Sequence, residues 1–265
     1  MLYGSMISVL FLLFLILMER HIVIVWIFSQ ANFIKSLRTQ KRYRQLLLLF
    51  IGDFVDVYSQ ALKDAENVLS IHLPVSYGSI HSVALLAAEQ MNEKARIKVL
   101  DSNSAAMAQG FVVLEAARAA ADGKGLNAAV ARAIEVSKKV RLIAAIDTLD
   151  YLKRSGRINS LSNLIAGALN IKPVFMLKEG KIEVLSKQRT KNHAIAFLLK
   201  KLKKDVEDRP LHVGVFHSNA EKDAQEITSE ILKDFNIVEI FINEFTPVMG
   251  AHCGPGTLGM AYYSD

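Results

Sequence analysis

The chain has 265 residues, 51% of them hydrophobic and 22% charged, a balance that specifies a folded globule rather than a disordered one. Its single cysteine, Cys253, excludes an intramolecular disulfide and a zinc cage of cysteines, and it fits a reducing cytoplasm. The net charge of +6 sits at the start: residues 1–52 hold six basic side chains against one acidic, the remainder 26 against 25, so no basic face on the body calls for nucleic acid.

The chain opens on an apolar run from Met6 to Met18, broken by Glu19-Arg20-His21 and resumed from Ile22 to Phe28. The first run falls short of the ~20 residues that span a bilayer, and crossing with both halves would bury the Glu-Arg-His cluster. It lacks the positively charged start and small-residue cleavage site of a signal peptide. A membrane anchor through residues 1–50, with Glu19 paired to Arg20, stays open but is not the favoured reading. Residues 1–51 are instead set apart as a hydrophobic and basic head, because regular alternation of strands and helices begins only at Gly52.

From there GDFVDVYSQALKDAEN spaces apolar residues three and four apart and reads as an amphipathic helix. VLSIHLP follows as a buried strand, residues 80–95 as a helix, IKVLDS as a strand, and residues 105–121 and 126–138 as two more helices before the strand RLIAAID. This rhythm predicts a mainly parallel sheet covered by helices. A split near residue 148 then gives two α/β lobes, 52–147 and 148–265. The second has a short helix over 148–155, a helix over 160–169, a strand IKPVFML and a tight turn at Glu179-Gly180 into an antiparallel partner. Helix 191–206, strand LHVGVFH, helix 220–234 and strand IVEIFIN complete a mixed sheet.

Open α/β sheets bind ligands where loops diverge at the carboxyl ends of their strands. Ser76, Tyr77, Gly78 and Ser79 precede a helix there, and this loop reads either as a serine N-cap or as an anion site. Arg157, after a helix-ending glycine, is either a ligand contact or a solvated side chain. GAHCGPGTLGMAYYSD puts four glycines, a proline, His252 and Cys253 at the terminus, where the backbone must turn sharply or approach something closely. His252 has no neighbour at metal-ligand spacing, and nothing nearby supplies a base for Cys253. No GxxxxGK[ST], GxGxxG or GxSxG is present, so the residues suggest binding more than catalysis. A small-molecule hydrolase using His252 and Cys253 remains the reading of a different class.

DTLDYLKRSGRI, NIKPVFMLKEGKIEVLSKQRTKNHAI and MGAHCGPGTLGMAYY, in this order and spacing, closely resemble the DegV family of bacterial fatty-acid-binding proteins, and YGSIHSV is similar to that family's SGTYQSA segment. The resemblance runs from about Gly52 to the end. It implies two α/β lobes enclosing one long-chain fatty acid, its tail in an apolar tunnel and its carboxylate near the lobe junction, with no other cofactor and no metal. It further implies a carrier rather than an enzyme, presenting the lipid to a separate fatty acid kinase that makes an acyl phosphate for phospholipid synthesis. By the same resemblance, Ser76, Tyr77, Gly78, Ser79, Arg157, His252 and Gly254 are the expected lipid contacts, and Lys187 and Arg189 the expected kinase-facing residues.

Two departures qualify this. The family's TDS and TSQPS segments are missing before Gly52, where the chain reads QLLLLFIGDF, so residues 1–50 read as a frame disruption, a mistaken start or a fusion. A truncated or anchored variant with impaired binding is the alternative. Tyr77 stands where the family's first loop serine is expected, and its phenol reaches further than a serine would. Without the opening strands the first sheet would have an open edge unless residues 22–28 and 45–51 replace them.

Overall fold

In the computed structural model, residues 13–19, 22–28, 51–91, 96–155, 171–245 and 247–264 are described. The expected helix over 160–169 and Arg157 lie outside them.

Strands β1 (Leu13–Glu19) and β2 (Ile22–Phe28) form an antiparallel pair within the head. Helix α1 (Ile51–Asp64) presents Phe54, Tyr58 and Ala61 to the core, as its spacing predicts. Strands β3 (Asn67–His72) and β4 (Ile97–Asp101) flank helix α2 (Ile80–Gln90). The sheet order is β1-β2-β3-β4, with β2, β3 and β4 parallel. Residues 22–28 therefore do supply a strand beside β3, in a register running from Ile22 opposite Asn67 to Trp26 opposite Ile71. Ile22 is 1% exposed and packs with Leu69 and Ile71. The other half of that expectation, residues 45–50, lies outside the described residues, and Ile51 opens α1 rather than a strand.

Helices α3 (Ala106–Ala121) and α4 (Leu126–Lys139) follow as a hairpin. α3 is apolar nearly all the way round, the pattern of a helix covered on every side. Its core residues, Phe111 and Ala116 among them, share one cluster with Leu69 of the first sheet and with Phe216 and Tyr263 of the second. The hairpin is thus the layer between two sheets. It delivers the chain into β5 (Arg141–Ala145), which pairs antiparallel with strands of the second sheet, although the strand-helix rhythm groups it with those before it.

The second sheet is completed by short helix α5 (Asp150–Arg154), β6 (Lys172–Lys178), β7 (Lys181–Gln188), α6 (Lys191–Val206), β8 (Leu211–His217), α7 (Glu221–Asp234), β9 (Ile237–Glu244), α8 (Pro247–Cys253) and β10 (Leu258–Ser264). Its strands run β7-β6-β5-β10-β8-β9, mixed as expected. Glu179 and Gly180 turn with φ of 50° and 71°, the geometry a two-residue hairpin needs. Thr190 caps α6 by accepting from the His193 N–H at 3.3 Å. A core built on Leu198, Leu202, Ile227 and Ile231 holds α6 and α7 on the far face, while α1 and α2 cover the far face of the first sheet. The layers are helices, sheet, helix hairpin, sheet, helices. No helix among the described residues is long and apolar enough to cross a membrane.

A buried ionic network ties the middle layer to the second sheet. The Glu115 carboxylate is 7% exposed and accepts from Arg118 at 2.5 Å and from Arg132 Nε at 2.7 Å, while Arg118 reaches Glu239 at 2.6 Å. His212, stacked on Tyr263 at 4.3 Å, bonds the other oxygen of Glu239 at 2.7 Å. Burial alone would raise the Glu115 carboxyl, but the hydrogen bonds and charges of Arg118 and Arg132 outweigh it and hold it below its ordinary value. A depressed folded value stabilises above the unfolded value near 4.5 and is lost as pH falls through the folded one. Glu115→Gln should therefore cost about 2 kcal/mol at pH 7, read by urea denaturation, with the gap to wild type narrowing as pH falls below the unfolded value of 4.5. A pH-independent gap would mean that the charge is not what stabilises.

Candidate functional site

The three parallel strands of the first sheet end on the same side, at Phe28, His72 and Asp101. Beyond β3 the chain makes a single 3-10 turn, Val75–Tyr77, before α2. Asp101 holds that turn down. Its carboxylate accepts the Val75 N–H at 3.0 Å and the Asn103 N–H at 2.7 Å. Asn103, at φ 51°, offers its carbonyl to the Gly180 N–H at 2.8 Å, so the β6–β7 hairpin tip docks on the loops of the first sheet. A methyl on Gly180 would make ordinary contact with Asn103 Oδ1 at 3.4 Å, so it is the left-handed backbone at φ 71° rather than space that calls for glycine there.

Within the loop Ser76 and Ser79 are exposed, and Tyr77 is half-buried with its hydroxyl enclosed. Burial pushes the Tyr77 phenol up to about 12, so it remains a protonated donor at neutral pH. Gly78 is extended rather than left-handed, at φ 167°. Ser79 occupies the N-cap position of α2, yet its side chain makes no cap hydrogen bond, so the plain serine-cap reading does not hold. Ser79 therefore leaves the first amides of α2 without a side-chain cap of its own.

The terminal segment closes as a knot of backbone hydrogen bonds. Gly254 N–H donates to Gly250 at 2.8 Å, Gly256 N–H to Ser218 at 2.7 Å, and Ser218 N–H to Thr257 at 2.9 Å. Thr257 Oγ1 donates to the carbonyls of Cys253 and Gly254, each at 3.0 Å. Gly254 and Gly256 adopt φ of 80° and 79°, and a methyl on Gly254 would meet the Tyr151 ring at 2.5 Å. The glycines are therefore required by close approach to α5 and by left-handed backbone. His252 is half-buried on α8, in the turn just before Gly254. Lys187 and Arg189 are exposed, on β7 at the sheet edge and just beyond it. Burial pushes the Cys253 thiol up to about 11, which leaves it a poor nucleophile and removes support from a cysteine hydrolase. Among the described residues no group of three metal-ligating side chains occurs.

A sequence model of the DegV family, described as uncharacterised proteins, matches residues 25–265. The chain belongs to the DegV family. A DegV domain-containing protein of Clostridium acetobutylicum is 34% identical over 219 residues, covering 81% of this chain and 76% of that protein. Among solved structures, a DegV family protein from Thermus thermophilus described for its fatty acid binding superposes with a TM-score of 0.77 at 27% identity, over 91% of this chain and 88% of that one. DegV from Bacillus subtilis, described as a fatty acid binding protein, gives 0.73 at 29% identity, over 81% and 77%. The DegV match begins inside β2, well before the Gly52 at which the quoted motifs place its start.

The strand ends beneath the 74–79 loop also hold residues that the motifs pass over. Asp101 organises the loop from another strand, and the sequence signal for it is only an aspartate ending a strand. His72 is 1% exposed at the end of β3, within hydrogen-bonding distance of Ser70, and the signal there is a polar pair two apart on one face among the buried apolar residues of the strand.

Proposed function

We propose that this DegV protein carries one long-chain fatty acid in the cytoplasm, its carboxylate at the junction where the 74–79 loop meets the second sheet and its tail in an apolar tunnel. It presents the acid to a fatty acid kinase for acyl phosphate formation in phospholipid synthesis. The observation that carries this reading is the likeness to the Thermus thermophilus and Bacillus subtilis fatty-acid-binding proteins over four fifths or more of the chain. The uncapped amides of α2 beside Ser76, Tyr77, Gly78 and Ser79 suit an anion, and Arg157, His252 and Gly254 supply further contacts. Lys187 and Arg189 form the kinase-facing patch, where exposed cations on an edge strand would pair with acidic groups of the partner.

Extraction of the purified protein into organic solvent, followed by mass spectrometry, should release a long-chain fatty acid at about one per chain. Added ATP and a fatty acid kinase should convert it to acyl phosphate, and the double variant Lys187→Glu, Arg189→Glu should slow that conversion while leaving the bound acid in place. Soluble protein with an empty pocket that takes up no added fatty acid would overturn the carrier reading and favour the truncated or anchored variant with impaired binding.

A further inference from the structure

Beneath the 74–79 loop lies a chain of three buried polar side chains. Tyr58 of α1 donates to Ser70 Oγ at 2.8 Å, and Ser70 Oγ lies 2.6 Å from His72 Nε2. Ser70 accepts from Tyr58 and has one proton of its own to give; in the tautomer where it gives that proton to Nε2, His72 carries its own proton on Nδ1. That Nδ1 is buried and has no hydrogen-bond partner among the described residues. Leaving a buried donor unmet is costly, so its retention calls for an acceptor.

The surroundings say which kind. The His72 ring meets the edge of Phe54, in the first turn of α1, at a centroid distance of 5.4 Å, and it feels the charge of His81 in the first turn of α2. Both helices are long, and both begin at the carboxyl end of β3. Phe54 and His81 lie in the first turns of these helices, where the dipoles are positive, and the Ser79 side chain does not cap the second of them. Desolvation, with the His81 charge second, holds the His72 imidazole down at about 3, so it stays a neutral donor across the physiological range. A cation could not be satisfied among these positive ends; an anionic oxygen could.

We infer that His72 is a direct carboxylate ligand, donating from Nδ1 to the fatty acid headgroup, with Tyr58 and Ser70 as positioning residues that set its tautomer. The inference rests on the fatty-acid reading above and adds to it a contact that selects the ionised acid over a neutral ester. The relay also supplies a donor at a fixed position in a site whose loop carries Tyr77 in place of a serine.

Full-length protein stripped of lipid on a hydrophobic resin would be titrated with palmitate and with methyl palmitate. His72→Leu should weaken palmitate about tenfold or more and methyl palmitate far less, collapsing the preference for the acid. His72→Asn, which keeps an amide donor near the Nδ1 position, should restore most of it. In 15N-histidine-labelled wild type, His72 should show the Nδ1–H tautomer, and its Nδ1 proton should shift downfield when palmitate is added. Wild type that fails to bind palmitate would sink the fatty-acid reading and this one together. Wild type that binds palmitate, with the His72 signals unmoved and the acid-to-ester preference intact in His72→Leu, would overturn the His72 assignment alone.

Discussion

Ile22→Asp should leave the protein unfolded or aggregated at 25 °C, although Ile22 lies in a segment whose composition sets it apart from the body. The side chain is 1% exposed and sits in the core that joins β2, β3 and α3. Deleting a buried isoleucine to alanine costs about 2–5 kcal/mol, and an unpaired carboxylate in the same place adds several more. Against a total stability of roughly 5–15 kcal/mol, that removes most or all of it. Ile22→Val, losing one methylene, should cost about 1 kcal/mol and stay folded, which separates a packing role from a tolerance for any change. Thermal melts of the purified variants and their partition into the insoluble fraction provide the measurement. Deleting residues 1–28 should have the same outcome as Ile22→Asp, because it bares the β3 edge to pairing with other chains. If Ile22→Asp or the deletion melts like wild type, the head is an appendage and β2 contributes nothing to the fold.

That outcome bears on how much of the molecule can be read from residue order. The periodicities that define α1, α4, α6 and α7 are local, and so are the Glu179-Gly180 turn and the Thr190 cap, so each is legible within a short window. The partner of a strand is not local. β5 follows a helix as earlier strands do, yet it crosses to the second sheet because the α3–α4 hairpin lies between the two. The head shows the same limit from the other side: VIVWIF has the β-branched content of a strand, but only its register against β3 shows that it belongs to the sheet. The candidate site residues divide likewise. Glycines, His252 and the Ser76–Ser79 loop stand out by type and by family likeness. Asp101 and His72 act on partners reached through the fold, Val75 in one case and Tyr58, by way of Ser70, in the other.

Gly254→Val should both destabilise the protein and strip it of lipid. At φ 80° a β-branched side chain is strained by about 1–3 kcal/mol, and its Cβ would lie 2.5 Å from Tyr151 Cδ2 and 2.9 Å from Cγ, too close without moving the ring. Displacing a packed aromatic adds about 1–3 kcal/mol, for a total of about 4 kcal/mol in chemical denaturation. Relief by shifting the turn instead would break the Gly254 to Gly250 and Thr257 to Gly254 hydrogen bonds, which hold the turn that follows His252. Either route moves a proposed carboxylate contact, so the lipid recovered by extraction should fall to a small fraction of wild type. The two sources of strain separate in a double-mutant cycle with Tyr151→Ala. Adding Gly254→Ala to Tyr151→Ala should cost less than adding it to wild type by about 1–2 kcal/mol, because the ring clash is gone while the φ penalty remains. Strict additivity of the two changes would mean that the ring does not press on the turn, and full lipid occupancy in Gly254→Val would remove this turn from the site.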